Sequence, residues 1–313
     1  MFEAILWTGT LFYPTELIGP ESTTPFYNLI IQFFNFNKVH LIVLAFLLTY
    51  FNALFLNYIV IEFGLLPRNT LLSAFAFILL ISYSPSSTNF YPALPAISFL
   101  LLSLINFFKT YSLKEPYYLI FNASFFIGIA SLFYLPLIFF IIWLWFSLIV
   151  NRIYLWREWS ITIIGAIVPY LFLAVYYFWN DEIFNTSIVY YSFFTEIKPL
   201  LFSNNIFDYI IWIYAIILII FSVGRLFSAF KERNIQFRKN SMILIFFFLI
   251  SLIPLLYSGK NFIANNSFTI IPLSVFLSYY FSVLKNINRM GIAILILIIL
   301  IVFNNYFSMI YFK

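Results

Sequence analysis

Four acidic side chains have the types and spacing that could do chemistry in this sequence. Asp181 and Glu182 are adjacent in Trp179-Asn-Asp-Glu182, and Glu16 and Glu21 share the stretch Tyr13-Pro-Thr-Glu-Leu-Ile-Gly-Pro-Glu21. Carboxylates placed this way can take the proton of an acceptor hydroxyl as a general base, or hold a divalent cation through oxygen ligands. The plainer reading of both sets is solvated loop acids. The rest of the titratable inventory narrows the choices. There is no cysteine and a single histidine, His40, so thiolate nucleophiles, disulfides and Cys-ligated or multi-histidine metal centres are excluded. No resident metal site is assigned, and a divalent cation at the acidic sets is the one cofactor left open. His40, beside Lys38, reads as an interfacial residue.

The second group is basic. Arg225, Lys231, Arg233, Arg238 and Lys239 alternate with Phe227, Phe230 and Phe237, and Arg157 sits between two indoles in Trp156-Arg-Glu-Trp159. Contact with anionic lipid headgroups accounts for these cations, at about 1 kcal/mol for each one near the surface. Docking of a cytoplasmic partner on the 225–240 loop is the sharper alternative. Nucleic acid is not an expected partner, because membrane orientation already explains the positive charge.

The elements that must position these groups are apolar. Of 313 residues 64% are hydrophobic and 9% charged, against roughly a quarter charged in an average soluble protein. The apolar residues fall in successive long blocks, which predicts an all-α, polytopic integral membrane protein with about ten transmembrane helices. Spans are expected near 39–61, 70–83, 93–108, 117–132, 134–150, 159–179, 208–227, 241–257, 266–284 and 290–310. The second and third are short, since fourteen helical residues rise about 21 Å against a hydrocarbon core of about 30 Å. A tilted or re-entrant hairpin around 84–92 is therefore expected. Tyr134-Leu-Pro136 supplies the break between the fourth and fifth spans, and Pro169, Pro254 and Pro272 fall inside later ones.

Residues 1–38 form an extracytoplasmic, interfacial segment in this reading, with an amphipathic helix over 25–36, and 39–313 form the transmembrane domain. With the N-terminus outside, twelve of sixteen basic residues fall on inner loops and seven of eleven acids fall outside. That is the asymmetry the positive-inside rule requires. No charged residue lies in the middle third of a predicted span, so proton-coupled transport lacks its usual mark. Asn52, Asn57, Asn106 and Asn122 are the strongest polar groups within the spans and are expected to hydrogen-bond between helices, while Ser124 and Gly128 present small residues for close packing.

Three stretches carry a resemblance: Leu56-Asn-Tyr-Ile-Val-Ile-Glu-Phe-Gly-Leu65, Gly128-Ile-Ala-Ser-Leu-Phe-Tyr-Leu-Pro136 and Trp156-Arg-Glu-Trp-Ser-Ile-Thr-Ile-Ile-Gly-Ala-Ile-Val-Pro-Tyr170. From about residue 50 to 180 the chain resembles a family of multi-pass inner-membrane proteins of Bacteroidetes, classed as a domain of unknown function. The overall plan is similar, more weakly, to membrane-embedded glycosyltransferases that take sugar from a polyprenyl phosphate. That second resemblance implies an amphipathic first outer segment and an acid at the outer membrane boundary, a role open to Glu16, Glu21, Asp181 or Glu182.

Three functions follow as expectations: an envelope glycan enzyme of the lipid-linked-sugar type, a non-enzymatic envelope scaffold or assembly factor, and a permease or lipid flippase. The orientation is tested by reporter fusions. A reporter at Asn234 is expected to read cytoplasmic and one at Ser192 external, and the reverse pattern would invert every loop assignment.

Overall fold

The computed structural model describes Glu3, Trp7 and residues 25–34, 37–111, 113–181, 206–257, 266–284 and 287–311. These residues form helices and no strands. In chain order they are α1 (Pro25–Phe33), α2 (Lys38–Glu62), α3 (Leu72–Ile81), α4 (Ala93–Phe108), α5 (Tyr117–Phe133), α6 (Phe140–Asn151), α7 (Trp156–Trp179), α8 (Ile206–Ala229), α9 (Ile235–Ser251), α10 (Ile270–Val283) and α11 (Ile287–Tyr311). Short 3₁₀ turns occupy Pro85–Thr88, Leu135–Phe139 and Ile253–Tyr257. Four stretches, Lys38–Glu62, Trp156–Trp179, Phe207–Ala229 and Ile235–Leu255, are long and apolar enough to cross a membrane. That marks the chain as a membrane protein.

Local chemistry sets the boundaries. Asn37 caps α2 by accepting from Val39 N–H at 3.1 Å. The helix closes over Gly64, whose φ of 62° lies in the left-handed region that lets Leu65 N–H reach Val60 O at 3.0 Å. Pro136 lies in the 3₁₀ turn between α5 and α6, where a break was expected. One proline, Pro254, differs from expectation. Pro254 belongs to the 3₁₀ turn that ends α9, and Pro272 sits in the first turn of α10, where no intrahelical N–H is needed. Only Pro169 is internal to its helix.

α5 lies between α4 and α7, and its contact with α7 is backbone-close. A methyl group added at Gly128 would sit 2.6 Å from Ala166 O, and one at Gly165 would meet Ser124 Oγ and come within 2.8 Å of Phe121 O. The small pair Ser124 and Gly128 thus does what its spacing implied, with Gly165 as the complementary small residue. Tyr170 OH donates to Ser131 Oγ across the same seam at 2.7 Å. Further along, Trp145 Nε1 donates to Thr162 Oγ1 at 2.9 Å, tying α6 to α7, and Trp143 Nε1 donates to Ile243 O at 3.0 Å, tying α6 to α9.

The amides within the spans divide. Asn52 donates to Leu94 O (3.2 Å) and accepts from Ser98 Oγ (2.7 Å), joining α2 to α4, and Asn57 accepts from Ser73 Oγ (2.5 Å), joining α2 to α3. Asn106 instead donates to Leu102 O within its own helix. The outer surface is apolar: α7 exposes Ile163, Ile164, Ile167, Leu171 and Phe172, and α8 exposes Ile213, Ile216, Ile217 and Ile220. A surface of this kind is stable against lipid and not against water.

One end of the bundle gathers the turns at 109–116 and 152–155 with the start of α9. The other gathers the 82–92 segment, Ser267, the first turn of α8 and the later part of α11. Replacing Gly165 by Ala is expected to lower stability by about 1–3 kcal/mol through overpacking, read as a lower midpoint of thermal unfolding in detergent. Gly291→Ala, whose added methyl meets open space, is the control. Equal midpoints would rule out the close α5–α7 contact.

Candidate functional site

Of the acids singled out in the sequence, Asp181 is described. It is exposed in the turn that closes α7, in the left-handed region at φ 57°, where its N–H reaches Phe178 O at 3.3 Å. Glu16, Glu21 and Glu182 lie outside the described residues. The basic residues differ in exposure. Arg157, Arg225, Lys231, Arg233 and Arg238 are exposed. Of the aromatics between them Phe237 is buried, Phe230 half-buried and Phe227 exposed: Phe230 meets Phe227 at 5.2 Å and Phe237 at 6.3 Å, and Phe237 packs on Tyr279 of α10 at 5.6 Å. Arg233 lies over the Phe237 ring at 5.8 Å. Lys239 departs from the group, half-buried against the Tyr111 ring at 5.3 Å.

The buried carboxylates among the described residues are three others, Glu158 at the basic end and Asp208 and Glu3, the last two each 3% exposed. Asp208 stands in the first turn of α8, where the helix dipole favours a negative charge. Asn304 of α11 donates through Nδ2 to Asp208 Oδ1 at 2.7 Å and to Tyr83 O at 2.7 Å. Asn305 donates to Ser82 O at 3.0 Å, and Trp7 Nε1 donates to Ser82 Oγ at 3.1 Å.

These contacts have one physical origin. α3 is a ten-residue helix with most of its side chains buried, so its C-terminal end stops inside protein. The last carbonyls of a helix have no partner within it, and without water they need donors from elsewhere. Two consecutive amides on α11 supply donors to the carbonyls of Ser82 and Tyr83, the cap of α3 and the residue after it, and one of those amides also holds the Asp208 carboxylate. Around this knot Tyr83 meets Trp212 of α8 edge-on at 5.5 Å, and Tyr91 OH and Ser267 Oγ share a hydrogen bond of 2.9 Å. Burial pushes the Tyr91 hydroxyl above its ordinary range. The cluster thus collects a carboxylate, two phenols and a serine hydroxyl at one end of the bundle. Among the described residues no group of three metal-ligating acids, cysteines or histidines forms.

In the sequence Asp208 only opens the predicted span 208–227, and the amides at 304 and 305 fall within the apolar span 290–310. A pair of adjacent asparagines inside the predicted span 290–310 was the signal that could have exposed the site.

Glu3 reaches the Thr49 hydroxyl in the middle of α2. No charged residue was expected at that depth, and this one arrives from outside the spans. A hydroxyl has one proton to give, and Thr49 Oγ1 lies 2.9 Å from Phe46 O of the preceding turn. Thr49 Oγ1 donates to Glu3 Oε1 with that carbonyl as a competing acceptor, so the hydroxyl only partly offsets the burial of the carboxyl. Oε2 of Glu3 is buried without a partner, which also disfavours the charge. Burial pushes the Glu3 carboxyl up to about 7, against the opposing effect of the Thr49 hydroxyl.

The folded form therefore holds a proton that the unfolded chain has already lost between pH 4.5 and about 7. Stability is expected to be highest at the acid end of that window, to fall as pH rises through it, and to level off above it. Unfolding midpoints measured from pH 5 to 8.5 check this, with Glu3→Gln giving the flatter profile. Equal slopes for the two proteins would remove the buried neutral carboxyl.

In comparisons with known proteins, no family model, curated protein or solved structure matches this chain.

Proposed function

We propose that the protein crosses the cytoplasmic membrane about ten times, with its basic end in the cytoplasm, and acts at the opposite face on an envelope glycan built from a lipid-linked sugar. The observation that carries this reading is the Asp208 carboxylate, buried at the end of the bundle away from the basic turns and held by Asn304. A glycosyltransferase that uses a polyprenyl-phosphate sugar needs a base at the membrane boundary to take the acceptor proton. A carboxylate fixed by an amide donor and flanked by Tyr83 and Tyr91 suits that task. α1 supports the same plan, with Tyr27 and Ile31 buried and Leu29 and Phe33 exposed, as an amphipathic outer element requires. In this reading Asp208 takes the role that the sequence had offered to Glu16, Glu21, Asp181 or Glu182, and any divalent cation would bind at the same face.

The second reading is a non-enzymatic envelope scaffold, favoured by the exposed cations Arg225, Lys231, Arg233 and Arg238 as a surface for a cytoplasmic partner. The two are separated by mass spectrometry of envelope glycoproteins and lipid-linked glycans. A deletion strain is compared with strains restored by wild type, Asp208→Asn, Asp181→Ala or a quadruple change of the four cations. Asp208→Asn keeps an acceptor for Asn304 and removes only the charge. A glycan lost on deletion, restored by wild type and Asp181→Ala but not by Asp208→Asn at equal protein level, is the expected result. Restoration by Asp208→Asn and failure of the cation variant would transfer the function to the scaffold reading. Unchanged glycans in the deletion strain would end the glycan proposal and favour a permease or flippase.

A further inference from the structure

The basic end contains a cavity of about 400 Å³, a volume typical of small-molecule sites. Its charged lining comes from three places in the chain: Lys114 from the α4–α5 turn, Arg152 and Glu158 around the start of α7, and Lys239 from α9. Lys114 and Arg152 are exposed and Lys239 is half-buried, whereas Glu158 is 1% exposed and its Oε2 has no hydrogen-bond partner. Negative charge thus lies deep and positive charge at the rim.

A second acceptor accompanies Glu158. Thr110 Oγ1 gives its proton to Phe107 O at 2.7 Å, so toward Asn151 it can only accept. Asn151 must turn its amide nitrogen to Thr110, and does so at 3.1 Å, which leaves Asn151 Oδ1 buried with no donor. Two buried acceptors without donors, in a cavity rimmed by three cations, call for a ligand with N–H donors at one end and an anion at the other.

We propose that this cavity binds a phosphoethanolamine group, with the primary ammonium donating to Glu158 and Asn151 and the phosphate held by Arg152, Lys114 and Lys239. A free solute and a lipid headgroup share this chemistry, and the surroundings favour the lipid. Leu113, Tyr154 and Leu155 line the same cavity, and each exposes about half or more of its surface, as does the neighbouring Trp156. Such a rim suits glycerol and acyl chains and would be costly facing water. The site is therefore one for phosphatidylethanolamine at the basic end, independent of any chemistry at Asp208.

The test is native mass spectrometry of the full-length protein in detergent. It is offered equimolar phosphatidylethanolamine, phosphatidylglycerol and phosphatidylcholine, and separately free phosphoethanolamine. Phosphatidylglycerol lacks the ammonium, and phosphatidylcholine carries a cation with no N–H to donate. Phosphatidylethanolamine adducts are expected to exceed each of the others by roughly tenfold, the factor of one charge-assisted hydrogen bond. Glu158→Gln should abolish that preference. Lys239→Gln and Arg152→Asn should weaken all three phospholipids together. Arg152 has φ 63°, a conformation that Asn tolerates, so this variant keeps the turn and guards against loss of fold. Equal binding of the three lipids, or a preference that survives Glu158→Gln, would overturn the proposal. Binding of free phosphoethanolamine without lipid adducts would overturn the lipid assignment.

Discussion

The architecture turns on the requirement that a helix ending inside protein must find donors for its last carbonyls. α3 is too short to carry its end to a wet surface, and the side chains along it are buried. Its terminal carbonyls at Ser82 and Tyr83 would each cost free energy if left bare in a medium without water. Asn304 and Asn305 meet that requirement from α11. The same contact draws Asp208, Trp7 and Tyr83 to one point, so the end of the bundle with the most chemical potential is also the place where its backbone has to be repaired.

Close packing elsewhere obeys a related rule. Lipid offers no hydrophobic incentive for helices to associate, so association rests on backbone proximity and on hydrogen bonds between helices. The α5–α7 seam uses the first, through Gly128 and Gly165, and adds the Tyr170–Ser131 bond. α8 uses the second, with Ser222 donating to Phe276 O of α10 and Tyr214 donating to Ala293 O of α11 at 3.0 Å. The polar atoms that look scattered along apolar stretches mostly bind backbone carbonyls of neighbouring helices or of their own preceding turn.

The helices were legible in the sequence because uninterrupted apolar blocks and a proline at 136 leave few alternatives. α4 spans the predicted 93–108, and α5 and α7 differ from expectation by a few residues at one end. The small-residue contact at Ser124 and Gly128 was legible for the same reason, since its i, i+4 spacing lies within one helix. The polar knot was not. Asn304 and Tyr83 are 221 residues apart, and Glu3 and Thr49 are 46 apart. Nothing in local periodicity records such a pairing, so an acid near the N-terminus read as a loop residue and two amides in an apolar helix went unremarked. The cavity at Glu158 was hidden likewise, because its lining comes from three turns that meet only after folding.

The distance between Asn304 and Tyr83 also has a bearing on how the chain is made. Synthesis runs from the N-terminus, so α3 is made long before α11 exists. Throughout that interval the carbonyls of Ser82 and Tyr83 lack their final donors, and α8 waits with them for the partner of Asp208. A helix late in the sequence thus locks an early one in place, and a chain cut short before Asn304 would carry α3 without that latch.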